Sequence, residues 1–210
     1  MTTMSRTERA ALCDVALQLG EAEPTLSGDW TVKDLVVHLL LRESSPAAVG
    51  IVVPRLSGLT DAAASRMGKR DFTVLVERLR SGPPIYSPYG WGRLEKIANT
   101  LEFFVHHEDI RRAQPSWEPR RLSSREQSVV WKAIRVAGKP LVRSSDTGVI
   151  LERVDTGERA TLRPGTPTVV LRGLPGEVAL YVFGRKDQAQ VELDGPGIAV
   201  AALRRTDLGL

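Results

Sequence analysis

The segment "TLEFFVHHEDIRRA", residues 100–113, holds the residue types best suited to chemistry. The chain has three histidines, and two of them, His106 and His107, stand side by side here. On an α-helix, positions i and i+4 share a face, so Glu102 and His106 form a pair on one side. The third histidine, His38, lies in "GDWTVKDLVVHLLLRE", among apolar residues. A free Glu102 carboxylate facing a bundle interior costs several kcal/mol unless it is paired. A divalent cation held by His38, Glu102 and His106 satisfies all three groups at once. Two imidazoles and one carboxylate suit zinc, and also iron or nickel. Three protein ligands leave coordination positions open, the arrangement of a catalytic site rather than a closed structural one.

The spacing alone is weak, since E-x-x-x-H arises often by chance and is not the HExxH pattern of metalloproteases. A single buried histidine is ordinarily just hydrogen-bonded. Asp34, one turn before His38, and Asp109, one turn after His106, are placed to orient those imidazoles. His107 points about 100° away from His106 around the helix, which suits a surface or supporting residue. Glu108 reads as a solvated charge or a partner of Arg111 or Arg112. Cys13, the only cysteine, falls within a predicted helix and reads as a small buried residue rather than a nucleophile.

The positioning elements follow from periodicity. Ser5 with Glu8 forms a capping-box pattern ahead of Leu12, Val15, Ala16 and Leu19, and Gly20 fits a stop. Thr31 is a plausible N-cap with Asp34 at the third helical position. Leu35 to Leu41 then leave almost no polar face, which predicts a buried helix. Trp30, just before the cap, fits a hydrophobic staple. Short helices are expected from about Thr60 and over Asp71–Leu79, with short helical pieces and loop over 44–58 and a loop at 81–92. The Glu102–His106 helix is expected over about Gly92–Ala113, with Leu94, Ile97, Leu101, Phe104 and Val105 inward. Beyond residue 118 the pattern changes. Ser123 and Glu126 open a helix to about Ala137, closed by Gly138. Two strands flank the "DTGE" turn, "TPTVVLRG" is a third strand, "PGEVALYVFG" a helix, "AQVELDG" a strand and "PGIAVAALRRTDL" a last helix. The fold class is therefore α+β, with domains at 1–118 and 119–210.

The bulk numbers set bounds. Of the 210 residues, 42% are apolar, enough for a sizeable core. No apolar run approaches the length of about 18 residues that a membrane span needs, and the N-terminus lacks the apolar stretch of a signal peptide. One cysteine excludes an internal disulfide and fits a reducing cytoplasm. A net charge of +4 and a pI near 9.5 invite a nucleic-acid reading, but the basic residues are dispersed among acidic ones, which argues against it. The excess of arginine over lysine points to a GC-rich bacterial genome.

Together, "GDWTVKDLVVHLLLRE" and "NTLEFFVHHEDIRRA" resemble the metal-binding bundle of the mycothiol-dependent maleylpyruvate isomerase family, within the DinB-like superfamily of four-helix bundles. Trp30, Asp34, Leu35 and His38 match its second-helix pattern, and Glu102 and His106 match its later Glu-x-x-x-His. The resemblance implies that His38, Glu102 and His106 bind a divalent metal, zinc above all, and it brings mycothiol as co-substrate and an actinobacterial source. "LPGEVALYVFGRKD" is more weakly similar to that family's small sterol-carrier-like α/β domain. An arginine of that domain is thought to help bind substrate in the isomerase. Arg172 and Arg185 stand in that region, and an ordinary surface role is the competing reading for both.

The leading expectation is a metal-dependent thiol transferase or isomerase acting on a small electrophile, as a monomer or homodimer. Arg111, Arg112 or a small-domain arginine would hold a substrate carboxylate. The rivals are a non-catalytic metal or small-molecule binding protein, whose site would be closed by Asp34 or Asp109, and a carrier of lipid in residues 120–210.

Overall fold

A computed structural model describes residues 3–44, 57–83 and 93–209. It is of mixed helix and sheet, and it divides into two compact units, Met1–Glu118 and Pro119–Leu210. No helix among the described residues is long and apolar enough to cross a membrane. The expected helical pieces and loop over 44–58 and the loop at 81–92 fall mostly outside the described residues, as do the side chains of Leu94 and Ile97.

The first unit is helical among its described residues: α1 (Met4–Leu19), α2 (Val32–Ser44), α3 (Ser57–Gly68), α4 (Phe72–Ser81) and α5 (Arg93–Arg112). The α1 cap is Thr3, whose hydroxyl accepts from the Arg6 amide at 3.4 Å, and not Ser5. Glu8 is unavailable for a cap because it turns into the protein and meets the His107 imidazole at 2.8 Å. Gly20 ends α1 at φ 100°, a left-handed conformation that glycine adopts without strain. At the start of α2, the Thr31 amide and hydroxyl both donate to Asp34 Oδ2, at 3.0 and 2.6 Å, and the Asp34 amide donates back to Thr31 Oγ1 at 3.3 Å.

Val32, Leu35, Val36, Leu39, Leu40 and Leu41 are all buried, so α2 is wrapped nearly all round, as its sequence predicts. It packs on α3 and α4, while α1 packs on α4 and α5. Leu12, Leu75, Leu79, Phe103 and Ile110 complete this core. Truncating one of the fully buried leucines, Leu39→Ala for instance, costs roughly 2–5 kcal/mol. A charged pair is buried against it: Arg9 grips Glu43 through two nitrogens, donates to the Leu79 carbonyl at 3.1 Å and lies over the Phe103 ring. Burial pushes the Glu43 carboxyl up, and the Arg9 charge opposes that shift. Removing either partner leaves a buried charge behind.

The second unit holds α6 (Ser124–Leu141), β1 (Gly148–Arg153), β2 (Arg159–Arg163), β3 (Thr168–Gly173), α7 (Pro175–Val182), β4 (Glu192–Asp194) and α8 (Gly197–Arg205). The Ser123–Glu126 capping box is present. The helix does not stop at Gly138, however, but runs on to Leu141. Gly138 is there for packing: a Cβ at that position would sit 2.9 Å from Leu162 Cδ1, so its absence lets α6 lie close on β2. The sheet order is β2-β1-β3-β4, with β1 antiparallel to β2 but parallel to β3. Residues 164–167 must therefore pass over the end of β1 at Gly148. A side chain at Gly148 would collide with the Gly165 carbonyl, so the crossing needs a glycine there. Val149, Leu151, Val169 and Leu171 form the buried face of β1 and β3.

Candidate metal centre

Helix α2 carries His38 and helix α5 carries Glu102 and His106, and the three side chains converge. Their potential ligand atoms all lie within 4.8 Å of one another. His38 Nε2 stands 3.4 Å from Glu102 Oε1, and His106 Nε2 stands 3.3 Å from the same oxygen. The His38 and His106 rings meet edge to face with centroids 5.4 Å apart, and the Trp30 ring lies tilted against His38 at 4.9 Å. Side-chain exposure is only 16%, 18% and 11% for His38, Glu102 and His106, so the cluster is recessed.

The spacing of these atoms is informative. Charge-assisted hydrogen bonds run at about 2.7–2.9 Å. His106 makes one such bond, from Nδ1 to Asp109 Oδ2 at 2.8 Å, yet its other nitrogen stands off Glu102 at 3.3 Å. With metal–donor bonds of about 2.05 Å, two donors on a tetrahedral ion are separated by about 3.3 Å. Two of the three donor–donor edges have that length, so the residues fit a small divalent cation. Asp109 completes the fit: it occupies Nδ1 and leaves Nε2 for the centre, the usual support of a metal-bound histidine. Asp109 is itself buried and accepts from the Ser27 hydroxyl at 2.9 Å.

The electrostatics agree with a site that attracts cations. Burial works against the Glu102 charge, but hydrogen bonds from His106 and His38, with the nearby Arg42 charge, hold its carboxyl well below the usual range. Burial also opposes a proton on His106, yet Asp109 and Glu102 outweigh it and raise its pKa to about 9.

The remaining candidates are placed differently. Asp34 is committed to the Thr31 cap rather than to His38. His107 is buried, with Nδ1 2.8 Å from Glu8 Oε2 and with Nε2 enclosed and without a hydrogen-bond partner. Glu108 is not a solvated charge: it is buried and pairs with Arg111 at 2.9 Å and Arg112 at 2.5 Å. Arg112, expected as a carboxylate holder, is itself buried between Glu108 and the Trp117 ring, where a substrate cannot reach it. Arg111 is tied to Glu108 and to the Glu118 carbonyl. In the second unit, Arg172 lies between Glu152 at 3.2 Å and Asp194 at 3.1 Å, beside an open groove of about 460 Å³. Arg185 donates to the Phe183 carbonyl. Cys13 is fully buried and burial lifts its thiol to about 11, against the pull of Arg80 and Arg9.

Arg42 also reaches the centre, beyond the candidates that the sequence suggests. Its Nε lies 3.5 Å from Glu102 Oε1, and its Nη1 donates to Asn99 Oδ1 at 2.8 Å. The signal was present: Arg42 follows His38 by four residues, and Asn99 precedes Glu102 by three, so each shares a helix face with a candidate ligand.

Comparison with known proteins adds one relationship. No family model matches the sequence, and no curated protein matches it. Among solved structures, the crystal structure of the mycothiol-dependent maleylpyruvate isomerase matches at 16% identity and that of a histidine-to-alanine mutant of it at 15%. Each has a TM-score of 0.61 and covers 91% of this chain and 90% of that chain. The chain therefore has the mixed helix-and-sheet fold of that isomerase over nearly its whole length.

Proposed function

We propose that this protein is a divalent-metal-dependent enzyme that uses a low-molecular-weight thiol, mycothiol or a close chemical equivalent, to transfer to or isomerise a small electrophile. In this reading the first unit is a DinB-like metal-binding four-helix bundle and the second is a small α+β, sterol-carrier-like domain. His38, Glu102 and His106 hold the metal, zinc by preference, and Asp109 orients His106. The carrying observation is the convergence of both Nε2 atoms on Glu102 Oε1 at donor–donor spacing, with the second nitrogen of His106 taken by Asp109. The fold shared with a mycothiol-dependent enzyme supports the choice of thiol. A cytoplasmic location accords with it.

When bound, the metal supplies Lewis acidity that stabilises a thiolate at neutral pH. The chain's own residues do the rest. Asp109 fixes the His106 tautomer, and Trp30 covers one face of His38. Cys13 is buried with its thiol protonated at neutral pH, so the reacting sulfur comes from outside the chain. Addition of that sulfur to an electrophilic carbon needs no oxidant. A transferase retains the new carbon–sulfur bond, and an isomerase breaks it again to release the thiol unchanged.

One observation favours a second reading, a non-catalytic polar centre. Arg42 already gives Glu102 a counter-charge at 3.5 Å. Elemental analysis of the purified protein separates the two. About one zinc or similar ion per chain, lost in His38→Ala and His106→Ala, supports the enzyme, and thiol-dependent turnover of a panel of electrophiles then identifies the reaction. Protein that takes up no metal under any loading condition, with both variants like wild type, leaves only the polar centre.

A further inference from the structure

We propose that Arg42 is an electrostatic brake on the metal centre: a fixed cation that limits how tightly the site holds its ion and keeps that ion electrophilic. The inference rests on the metal-binding reading above, and goes beyond it in assigning a role to a residue that is not a ligand.

Three features carry it. The first is position. Arg42 sits one turn after His38 on α2, so its guanidinium reaches the same recess, and its Nε lies 3.5 Å from Glu102 Oε1, the oxygen both imidazoles face. The second is fixity. The Arg42 side chain is only 13% exposed, and Asn99 on α5 accepts from its Nη1 at 2.8 Å, which ties the guanidinium across the two helices that supply the ligands. It cannot swing freely into solvent when a second cation arrives. The third is charge balance. The candidate ligands bring one formal negative charge, Glu102, Asp109 adds a second behind His106, and Arg42 offsets one of the two. A divalent ion entering the recess therefore meets a unit positive charge a few ångströms away in surroundings that screen poorly, where Coulomb interaction is strong. Arg42 also draws on the Glu102 carboxylate directly, from 3.5 Å. A carboxylate so occupied is a weaker donor to a metal, and the metal it holds is correspondingly a stronger Lewis acid toward an incoming anion such as a thiolate.

A purely supporting arginine, one that merely holds Glu102 in place, predicts the reverse: its loss would loosen the metal, as losses of outer hydrogen bonds to metal ligands do. The sign of the effect therefore decides. The experiment is a Zn2+ competition titration against a chromophoric chelator, on wild type, Arg42→Lys, Arg42→Gln and Arg42→Met. Circular dichroism checks each fold. The polar and the apolar neutral variants together guard against one of them failing to fold. The expected result is a Kd at least tenfold lower in Arg42→Gln and Arg42→Met, and within about threefold of wild type in Arg42→Lys. Unchanged or weakened Zn2+ binding in folded neutral variants overturns the brake while leaving the metal centre intact. Wild-type protein that binds no Zn2+ in the same titration overturns the centre itself, and the brake with it.

Discussion

Asp109 Oδ2 and His106 Nδ1 are 2.8 Å apart, one turn along a single helix, and this contact decides which nitrogen His106 presents to Glu102. The carboxylate is fully buried and acts on the centre through the imidazole. Asp109→Asn keeps the volume but substitutes an amide for the charge. Metal affinity is expected to fall about 10–100-fold while the three ligands remain. A chelator-competition titration measures this. An unchanged affinity removes Asp109 from the centre.

The two adjacent histidines are expected to behave as opposites. His106→Ala abolishes metal uptake. His107→Ala leaves metal stoichiometry intact, because His107 faces Glu8 across the α1–α5 packing and not the recess. It removes one partner of a buried carboxylate, which costs about 3 kcal/mol. Metal analysis and urea denaturation on both variants test the pair. Loss of metal in His107→Ala contradicts the assignment.

Cys13 is expected to be chemically silent in the native protein. Its Sγ is buried 3.7 Å from the Val76 carbonyl, and its thiol is raised to about 11. An aromatic disulfide reagent at pH 8 therefore titrates well under one thiol per chain in buffer and one in denaturant. Rapid native reaction makes Cys13 a rival to the external thiol.

The α6 cap gives a pH-dependent prediction. Hydrogen bonds from the Ser123 side chain and backbone lower the Glu126 pKa. A carboxyl depressed in the folded state adds stability above its unfolded pKa of about 4.3, and that stability is lost as the pH falls through the folded value. Ser123→Ala is expected to cost about 1 kcal/mol at pH 7. The difference from wild type shrinks below pH 4. Thermal melts at pH 7 and pH 3 read it, and a constant difference excludes the ionised cap.

Much of this was legible in the sequence because it is local. The α2 helix announced itself through an unbroken apolar run behind a Thr31–Asp34 cap. The strands of the second unit alternate and are bounded by glycine and proline. Glu102, His106 and Asp109 were readable together because helical spacing alone relates them. What escaped was long-range. Glu8 looks like a capping residue until His107, from a distant segment, claims it. Gly138 looks like a helix stop until Leu162 of another element is seen lying against it. Arg112 looks available to a substrate until packing encloses it between Glu108, a partner that helical spacing does offer, and the Trp117 ring. Arg42 was only half legible: its spacing from His38 puts it on the candidate face, but its contacts with Asn99 and Glu102 lie across a helix pair.

The passage of residues 164–167 over Gly148 makes the small sheet behave as a buckle rather than a stack. Strands β2 and β3 flank β1 and are tied to each other across its tip, so neither outer neighbour can peel away while the middle one stays put. Amide protons of these three strands are therefore expected to exchange with deuterium as one cooperative group. The short β4, hooked on outside the clasp, exchanges earlier and alone.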